Sequence, residues 1–483
     1  MAEQYTARST SERPEIPEQD WAVTPESVKA EVLWQRKRLE ALEETLGRSS
    51  RNSSKPPSSD GFGKAVEAHQ RQRKQSRKQG AQPGHEGHSR ELYPPEACEE
   101  VIDHQPSECG QCGSELSGED AHPYRHQVVE LPEVRVRVTE HRVHRLVCPH
   151  CQAVTRASLP SAVRSGYGPR LMGVIGLLSN SRHRQSHRGL QSLLQELFGL
   201  RISLGGINRV RQRLSQALAA PVAALQQQMQ QSRVLHCDET SFRQQGQRCW
   251  LWGLTDGLHS CFQIQASRAQ SAADQMLGPL YNGIVVSDRY SAYNHLPLDR
   301  RQLCWAHLKR DFQAMAERPG RSASLGDSLL QMERQVFGLW QRVRDGTCAR
   351  EVFAVVATLW QHSMTALLQQ GVSWLEDPQA TPLEQKTART CRTLLAQSQA
   401  LWTFAHHPGV EPTNNAAERA LRNGVIWRKL SLGSQSDHGS DFVARLMSVT
   451  QTLHTQKRPV LDYLTRTMNA FALGQPAPRL HLA

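Results

Sequence analysis

The apolar residues of this chain fall into two rhythms, and the switch between them is the first guide to its architecture. Four short apolar runs, in VLHCDETSF, RCWLWGLTDG, SCFQIQAS and GIVVSD, end in turn-forming residues and predict β-strands. The first three read as consecutive antiparallel strands, a helix over SAADQMLGPL leads into the fourth, and QLCWAH predicts a fifth. Farther on, the spacing changes to three and four. SLLQMERQVFGLWQRVRD, REVFAVVATLWQHSMTALLQQ and PLEQKTARTCRTLLAQSQALWTFA predict an all-helical insertion from Asp311 to His407. Its Trp340, Trp360, Trp374 and Trp402 read as core residues, and VARLMSVTQTLHTQKRPVLDYL predicts a closing helix pair.

Upstream, residues 1–23 are polar and rich in Glu, Ser and Pro, which favours disorder. A helix is predicted over 24–47, beginning at Thr24 with Pro25 at its first position and Gly47 as its stop. Val32, Leu39 and Leu46, offset from Val28, Gln35 and Leu42, supply a and d positions for about three heptads. Gln35 weakens that seam, so it suits either a self-association zipper or docking onto the body of the protein. Residues 48–95 cannot build a core and read as a basic linker. Within it Arg71, Arg73, Lys74, Arg77 and Lys78 follow one another without an acid and suit phosphate contacts, although such runs are most often simply solvated.

Two C-x2-C knuckles, Cys109 with Cys112 and Cys148 with Cys151, are the pairing that gives a tetrahedral thiolate zinc site, here a domain over 96–160. The alternation in HQVVELPEVRVRVTEHRVHRLV predicts strands that carry the second knuckle back to the first. The separation exceeds the roughly 15–20 residues of a short zinc ribbon. His150 is an alternative ligand and Cys98 an outsider; a closed site of this kind is structural. From 161 to 232 the pattern is helical. GLQSLLQELFGL and a second helix opening at Ser203, with Arg209, Arg211 and Arg213, suit a helix-turn-helix or a plain helical connector.

Length and composition narrow the class. At 483 residues there is room for about three domains. A formal net charge of +12 and a pI near 9.4 favour a polyanionic partner, and the clustering of charge favours nucleic acid over anionic lipid. No stretch approaches the roughly 20 apolar residues of a membrane span, and the first residues lack the apolar core of a signal peptide. A cytoplasmic protein without a membrane partner is expected. The odd count of 11 cysteines then points to reduced thiols and a metal site rather than disulfides.

Three acids stand out. Asp238 and Asp288 each close an apolar run, as a buried strand delivers a side chain to the rim of a sheet. Glu418 lies in a helical segment for which Thr413 reads as N-cap, with Ala416, Ala417, Ala420 and Leu421 as helix formers and Arg422 on the same face. Such carboxylates can hold a pair of Mg²⁺ ions about 3.5–4 Å apart. An Asp at a strand end is more often a turn former or a solvated group. Asn414 and Asn415 could orient Glu418, bind a phosphate oxygen or simply cap the helix; Arg419, Arg422, Arg428 and Lys429 make this end basic and suited to gripping a DNA strand. Cys304 and His307 form a C-x2-H pair, either a structural or strand-positioning pair or a packed Cys beside a solvent-edge His.

VLHCDETSF, GIVVSDRYSAYN, QLCWAHLKRDF, EPTNNAAERALRN and WRKLSLGS, in this order, together with NSSKPPSSD at Asn52 to Asp60 and the four-cysteine segment, closely resemble the DDE transposases of the insertion sequence 66 family over nearly the whole chain. Cys237 and Ser241 stand where Ala and Pro are common, and Trp427 replaces a usual Gly; no carboxylate is lost. The resemblance implies that Asp238, Asp288 and Glu418 are the catalytic triad. It implies a multidomain α+β architecture: a ribonuclease H-like α/β catalytic core over 233–310 and 408–483, interrupted by the helical insertion of 311–407. A zinc-ribbon-like domain, a helical linker and a short N-terminal coiled coil precede that core. The implied activity is Mg²⁺-dependent cleavage and strand transfer of DNA, with two Mg²⁺ ions or Mn²⁺ in their place, by a homodimer or higher oligomer. Element ends and target DNA would be the substrates, with small accessory proteins as partners and the nucleoid as location. The alternatives are a catalytically silent zinc-containing DNA-binding protein derived from a transposase, and a nuclease on the same fold.

Overall fold

The computed structural model describes residues 18–53, 90–183 and 185–480. Two compact units share the described residues: 18–53, 143–183, 185–190 and 203–480 belong to the first, and 90–142 with 191–202 to the second. The linker residues Arg71, Arg73, Lys74, Arg77 and Lys78, and NSSKPPSSD beyond Ser53, lie outside the described residues.

In the second unit, side chains on backbone replace a ladder. Arg125 donates to the Tyr93 carbonyl at 2.7 Å, Arg90 to the Gln127 carbonyl at 2.6 Å, and the Gln127 amide donates to Tyr93 O at 2.8 Å. Gln127 also donates to Cys98 Sγ at 3.4 Å, which gives that outlying cysteine a local partner. Of the strands expected over 126–147, only Arg145–Val147 forms, and residues 127–142 carry no strand. Val128, Val129, Val134, Val136 and Val138 are all exposed, so both parities face water and the alternation has no layer to bury against.

The first unit opens with α1 (Glu18–Val23) and α2 (Glu26–Gly47). Part of the segment expected to be disordered is therefore helical. The Thr24 hydroxyl donates to the Asp20 carbonyl at 2.7 Å and closes α1, and the long helix starts after Pro25 rather than at Thr24. Val28, Leu39 and Leu42 of the heptad stripe are exposed. A hairpin follows, β1 (Arg145–Val147) against β2 (Val154–Arg156). Helix α3 (Pro169–Leu178) comes next, then α4 (His187–Phe198), which runs from the first unit into the second after Leu190, and α5 (Leu204–Met229); Ser203 caps α5 by accepting from Gly206 N at 3.0 Å.

Five strands make the central sheet: β3 (Val234–Gln244), β4 (Gln247–Thr255), β5 (Ser260–Gln265), β6 (Ile284–Ser287) and β7 (Arg301–Leu303). Their order is β5-β4-β3-β6-β7. The first three are antiparallel neighbours, whereas β6 lies parallel to β3 and β7 parallel to β6. The crossover before β6 carries α6 (Gln270–Leu277). The fifth strand is shorter than QLCWAH predicts, because Trp305 already opens α7 (Trp305–Ala316). Asp311, expected to start the insertion, lies inside that helix.

The excursion continues through α8 (Arg321–Arg344), α9 (Arg350–Ser373), α10 (Pro382–Ala396) and α11 (Thr403–His406). An aromatic core holds it, with Trp305 5.0 Å from Trp402 and Trp340 5.2 Å from both Phe353 and Phe404. Trp374 is buried with them and Trp360 packs at the margin, so all four tryptophans serve packing. Where the excursion returns, it is fastened to its own start. Trp305 Nε1 donates to the Leu401 carbonyl at 2.7 Å, the Thr403 hydroxyl to Arg301 O at 2.6 Å, and Phe404 N to Gln302 Oε1 at 2.7 Å.

The chain then enters α12 (Asn415–Ser431), α13 (Asp437–Thr455) and α14 (Val460–Leu473). Ala420, Leu421, Val443 and Met447 of α12 and α13 cover Phe242, Cys249, Leu251 and Phe262 on one face of the sheet. Two glycines let α12 come close: a Cβ on Gly424 would meet Leu251 at 2.1 Å, and one on Gly253 would meet Leu421 at 3.0 Å. No helix among the described residues is long and apolar enough to cross a membrane.

The start of α10 supplies a stability test. Thr381 and Glu384 form a capping box, and Arg321 donates to both Glu384 oxygens at 2.9 and 3.2 Å, holding that carboxyl down at about 2. A depressed carboxyl stabilises the fold above the unfolded value and loses that contribution as pH falls towards the folded one. Glu384→Gln keeps the box but loses the charge, and should cost about 1–2 kcal/mol at pH 7, discounted because Arg321 is partly exposed. Thermal melts should show the gap to wild type closing as pH drops from the ordinary carboxylate range to about 2.

Candidate functional site

The parallel register between β3 and β6 decides where the first two acids stand. Val234 pairs with Ile284 and His236 with Val286, and the same offset continued brings Asp238 level with Asp288 at the end of the shared ladder. Adjacent strands lie about 4.8 Å apart. Asp288 follows the last residue of β6, and its Oδ1 accepts from Tyr290 N at 2.8 Å, which fixes the turn. Arg301, buried beneath, donates to the Asp288 carbonyl at 2.9 Å. The strand end is thus held both through the Asp288 carboxylate and, independently of it, through its carbonyl.

Asp238 shares a sheet face with Phe242, the face that α12 covers, because side chains alternate along a strand. Its cross-strand neighbour is Gly253, where the missing side chain leaves room for Leu421. Glu418 lies in the first turn of α12. The Asp238 carboxyl is pushed well above the usual carboxylate range, by burial first and then by Glu239, Asp288 and Glu418. The three predicted acids therefore share one electrostatic neighbourhood, and divalent cations relieve such like-charge crowding.

Asn414 rather than Thr413 is the residue that precedes α12, and it makes no side-chain cap. It is 1% exposed; its Nδ2 donates to the Cys237 carbonyl at 2.8 Å and its Oδ1 lies 3.2 Å from His236 Nδ1. Asn414, read from the sequence as an orienting group, a phosphate contact or a cap, here forms a bracket between helix and sheet. Asn415, Arg419, Arg422 and Lys429 are exposed on α12. Arg428 is not available in the same way, since its guanidinium donates to the Ser241 carbonyl and to the Ser241 and Thr240 hydroxyls.

Cys304 and His307 meet Glu418. The Cys304 sulfur, a His307 ring nitrogen and a Glu418 oxygen lie within 4.8 Å of one another, the only such group of His, Cys, Asp or Glu ligand atoms among the described residues. His307 Nδ1 is 3.9 Å from Glu418 Oε1. Burial and Arg310 lower His307, so the imidazole is neutral at pH 7 and the pair is not an ion pair there. Cys304 is packed in the interior, and the partly buried His307 ring faces Glu418.

On the opposite face of the sheet is a network that sequence reasoning missed. Glu239 is buried, accepts from Tyr293 Oη at 2.7 Å and pairs with Arg268 at 2.6 Å, while Arg268 lies 3.6 Å over the Tyr290 ring. Arg289, next to Asp288, pairs with Asp311 of α7. The signal was in the motifs already singled out: Glu239 follows Asp238 in DET, and Arg289, Tyr290 and Tyr293 follow Asp288.

The two cysteine knuckles fall in different units and have the same local form. Cys109 N donates to Ser114 O at 2.8 Å and Gly113 N to Cys109 O at 2.9 Å; Cys148 N donates to Ala153 O and Gln152 N to Cys148 O, both at 2.9 Å. The Ser114 hydroxyl and neighbouring donors bring Cys112 down to about 7, and backbone N–H groups of Cys151 and His150 lower Cys148. Donors aimed at sulfur favour thiolates, the form that binds zinc. The β1–β2 hairpin frames the second knuckle directly, in place of the longer strands expected.

Comparison with known proteins agrees with these features. Residues 164–441 match the transposase IS66 family, and residues 106–152, which span both knuckles, match the zinc-finger binding domain of that transposase family. Residues 13–91 match a family of unknown function. The chain belongs to the transposase IS66 family and carries its zinc-finger domain. Two uncharacterized proteins of Sinorhizobium fredii are similar to it. Protein y4qI is 28% identical over 254 residues, 48% of this chain and 46% of its own length; y4hP is 24% identical over 397 residues, 73% and 68% respectively. The chain thus matches about half the length of y4qI.

Removing Arg268 should leave Glu239 buried with Tyr293 as its remaining partner. Arg268→Met is expected to cost about 2–3 kcal/mol in denaturant unfolding, less than the roughly 3–5 of a fully buried pair because Arg268 keeps partial exposure. Adding Glu239→Gln should recover most of the loss; strictly additive effects of the two changes would contradict the coupling.

Proposed function

We propose that the protein is a DDE-type DNA transposase of a bacterial insertion sequence, which cuts element ends and joins them to target DNA. The observation that carries the reading is the β3–β6 register, which brings Asp238 level with Asp288 while Glu418 of α12 enters the same charge cluster. The strand order β5-β4-β3-β6-β7, with its antiparallel half and its parallel half, supports a ribonuclease H-like core. On this reading the domain layout is the one expected from sequence: 1–23, coiled coil 24–47, linker 48–95, zinc domain 96–160, helical linker 161–232, core 233–310 and 408–483, and insertion 311–407.

Asp238, Asp288 and Glu418 would hold Mg²⁺ ions, or Mn²⁺, which supply an activated water or 3′-hydroxyl and offset charge on the leaving oxygen. The fit is chemical: hard carboxylate donors crowded together. The chain's own residues do the rest. Asn414 and Trp305 fix the start of α12, so the Glu418 carboxylate arrives on a braced backbone, and the exposed Arg419, Arg422 and Lys429 beside it offer positive charge to the phosphates of a DNA strand. Water attack at the element end releases a 3′-hydroxyl, which then attacks target DNA in line. Cys109, Cys112, Cys148 and Cys151 would supply thiolates to structural zinc. The exposed Val28, Leu39 and Leu42 of α2 suit self-association into the dimer that two ends require, and accessory proteins of the element complete the partners. The nucleoid is the expected location.

Asp288→Asn should lower Mg²⁺-dependent cleavage of element-end DNA by more than about 10²-fold, the scale of losing one charge-stabilising group. Binding of the same DNA in a gel-shift assay should persist. Cleavage at the wild-type rate would sink the mechanism, and cleavage with no joining of pre-nicked ends would mark a nuclease instead.

A further inference from the structure

The cluster at the N-terminal ends of α7 and α12 has a chemistry that paired carboxylates do not need. We propose that Cys304, His307 and Glu418 form a second, soft-metal site of the zinc class, which competes with the hard-ion site for Glu418. The donor set is one sulfur, one imidazole nitrogen and one carboxylate oxygen, all within 4.8 Å of one another. Zinc takes such mixed donors in a tetrahedron, with three protein ligands and a fourth position left for water. Mg²⁺ does not favour a thiolate.

Two further observations point to a ligand. His307 Nδ1 and Glu418 Oε1 are both buried and neither makes a hydrogen bond among the described residues. They face each other at 3.9 Å, close to the ligand-to-ligand spacing of a tetrahedral ion, roughly 3.3–3.8 Å for bonds of the usual zinc lengths. Buried polar atoms left without partners are uncommon and call for an explanation. Around them the frame is built. Cys304 N donates to Ser287 O at 2.9 Å, Trp305 N to Pro412 O at 2.9 Å, and Asn414 N to the Cys304 sulfur at 3.1 Å. The last of these is the kind of outer hydrogen bond that orients and tunes a metal-bound sulfur.

Binding would displace the thiol proton and draw the Glu418 carboxylate towards His307. On the proposed function that removes the third carboxylate from the Mg²⁺ site, so zinc would act as a reversible inhibitor rather than as a cofactor of cleavage. This consequence rests on the transposase reading; the binding itself does not.

The test uses the full chain with its knuckle cysteines saturated by zinc, and Co²⁺ as the probe. Wild type should develop the thiolate-to-cobalt charge-transfer band and the visible bands of a tetrahedral site, saturating at about one further equivalent. Cys304→Ser should lose the charge-transfer band, and His307→Gln should weaken cobalt binding by at least about tenfold. Unchanged spectra and affinity in both variants overturn the site. If Cys304→Ser fails to fold in a thermal melt, His307→Gln, at a side chain less buried than Cys304, decides alone, by the same affinity. In a Mg²⁺-dependent cleavage assay, added Zn²⁺ should inhibit wild type and His307→Gln should need at least about tenfold more. Absence of cleavage under every condition would refute the transposase reading and leave the cobalt result standing.

Discussion

The hydrogen bonds between β7 with the start of α7 and the returning segment at 401–404 are the constraint on which the rest of the molecule depends. A long helical excursion separates the two strand-borne acids from the helix-borne one, and the cost of closing a loop grows only slowly with its length, about 0.6 kcal/mol per doubling. Length is therefore tolerable as long as the two ends meet in a fixed geometry. Trp305, Gln302 and Arg301 supply that fixture by binding Leu401, Phe404 and Thr403, and the aromatic core of the excursion stiffens what lies beyond. With the exit pinned to an edge strand, Pro412 and Asn414 can only lead back across the end of the sheet, and α12 begins beside β3.

The close approach of α12 then converts packing into chemistry. Gly253 opposite Asp238 and Gly424 against Leu251 remove the side chains that would hold the helix off. Burying Leu421 in the space is worth about 1.5–3 kcal/mol and draws Glu418 to the acids. Burying Asp238 and crowding it with Glu239, Asp288 and Glu418 is unfavourable without counter-charge, and its carboxyl is pushed up by burial first and by those acids second. The opposite face treats a buried acid differently: Glu239 is met by Arg268 and Tyr293, which offset part of the upward push of burial and Asp288 on its carboxyl. On one face of the strand the buried acid has cationic and hydroxyl partners within the protein, and on the other the acids crowd one another.

Much of this was written in the chain itself. The periodicity of the apolar runs determined all five core strands, the helical excursion with its tryptophan core and the closing helices, because each depends on local burial patterns that repeat within a few residues. The order of the acid-bearing motifs determined the family. Local pattern failed where burial needs a partner that the sequence does not name. The alternating valines after Gln127 stay exposed because no layer covers them, and Thr24 closes a short helix instead of opening the long one.

Only the tertiary structure decided which way the polar residues of α12 face. In sequence Arg419, Arg422, Arg428 and Lys429 share one reading as a basic strand-gripping end, and Asn414 reads equally as an orienting group, a phosphate contact or a cap. The fold turns Asn414 inward to the Cys237 carbonyl, ties Arg428 to Ser241 and leaves Arg419, Arg422 and Lys429 in water. It also joined Cys304 and His307 to Glu418, an encounter of two distant segments that no spacing in the chain records. The physical reason is the same in each case: a helix end acquires its orientation from the surface it docks on, and that surface is assembled from strands and from a returning loop far away in sequence.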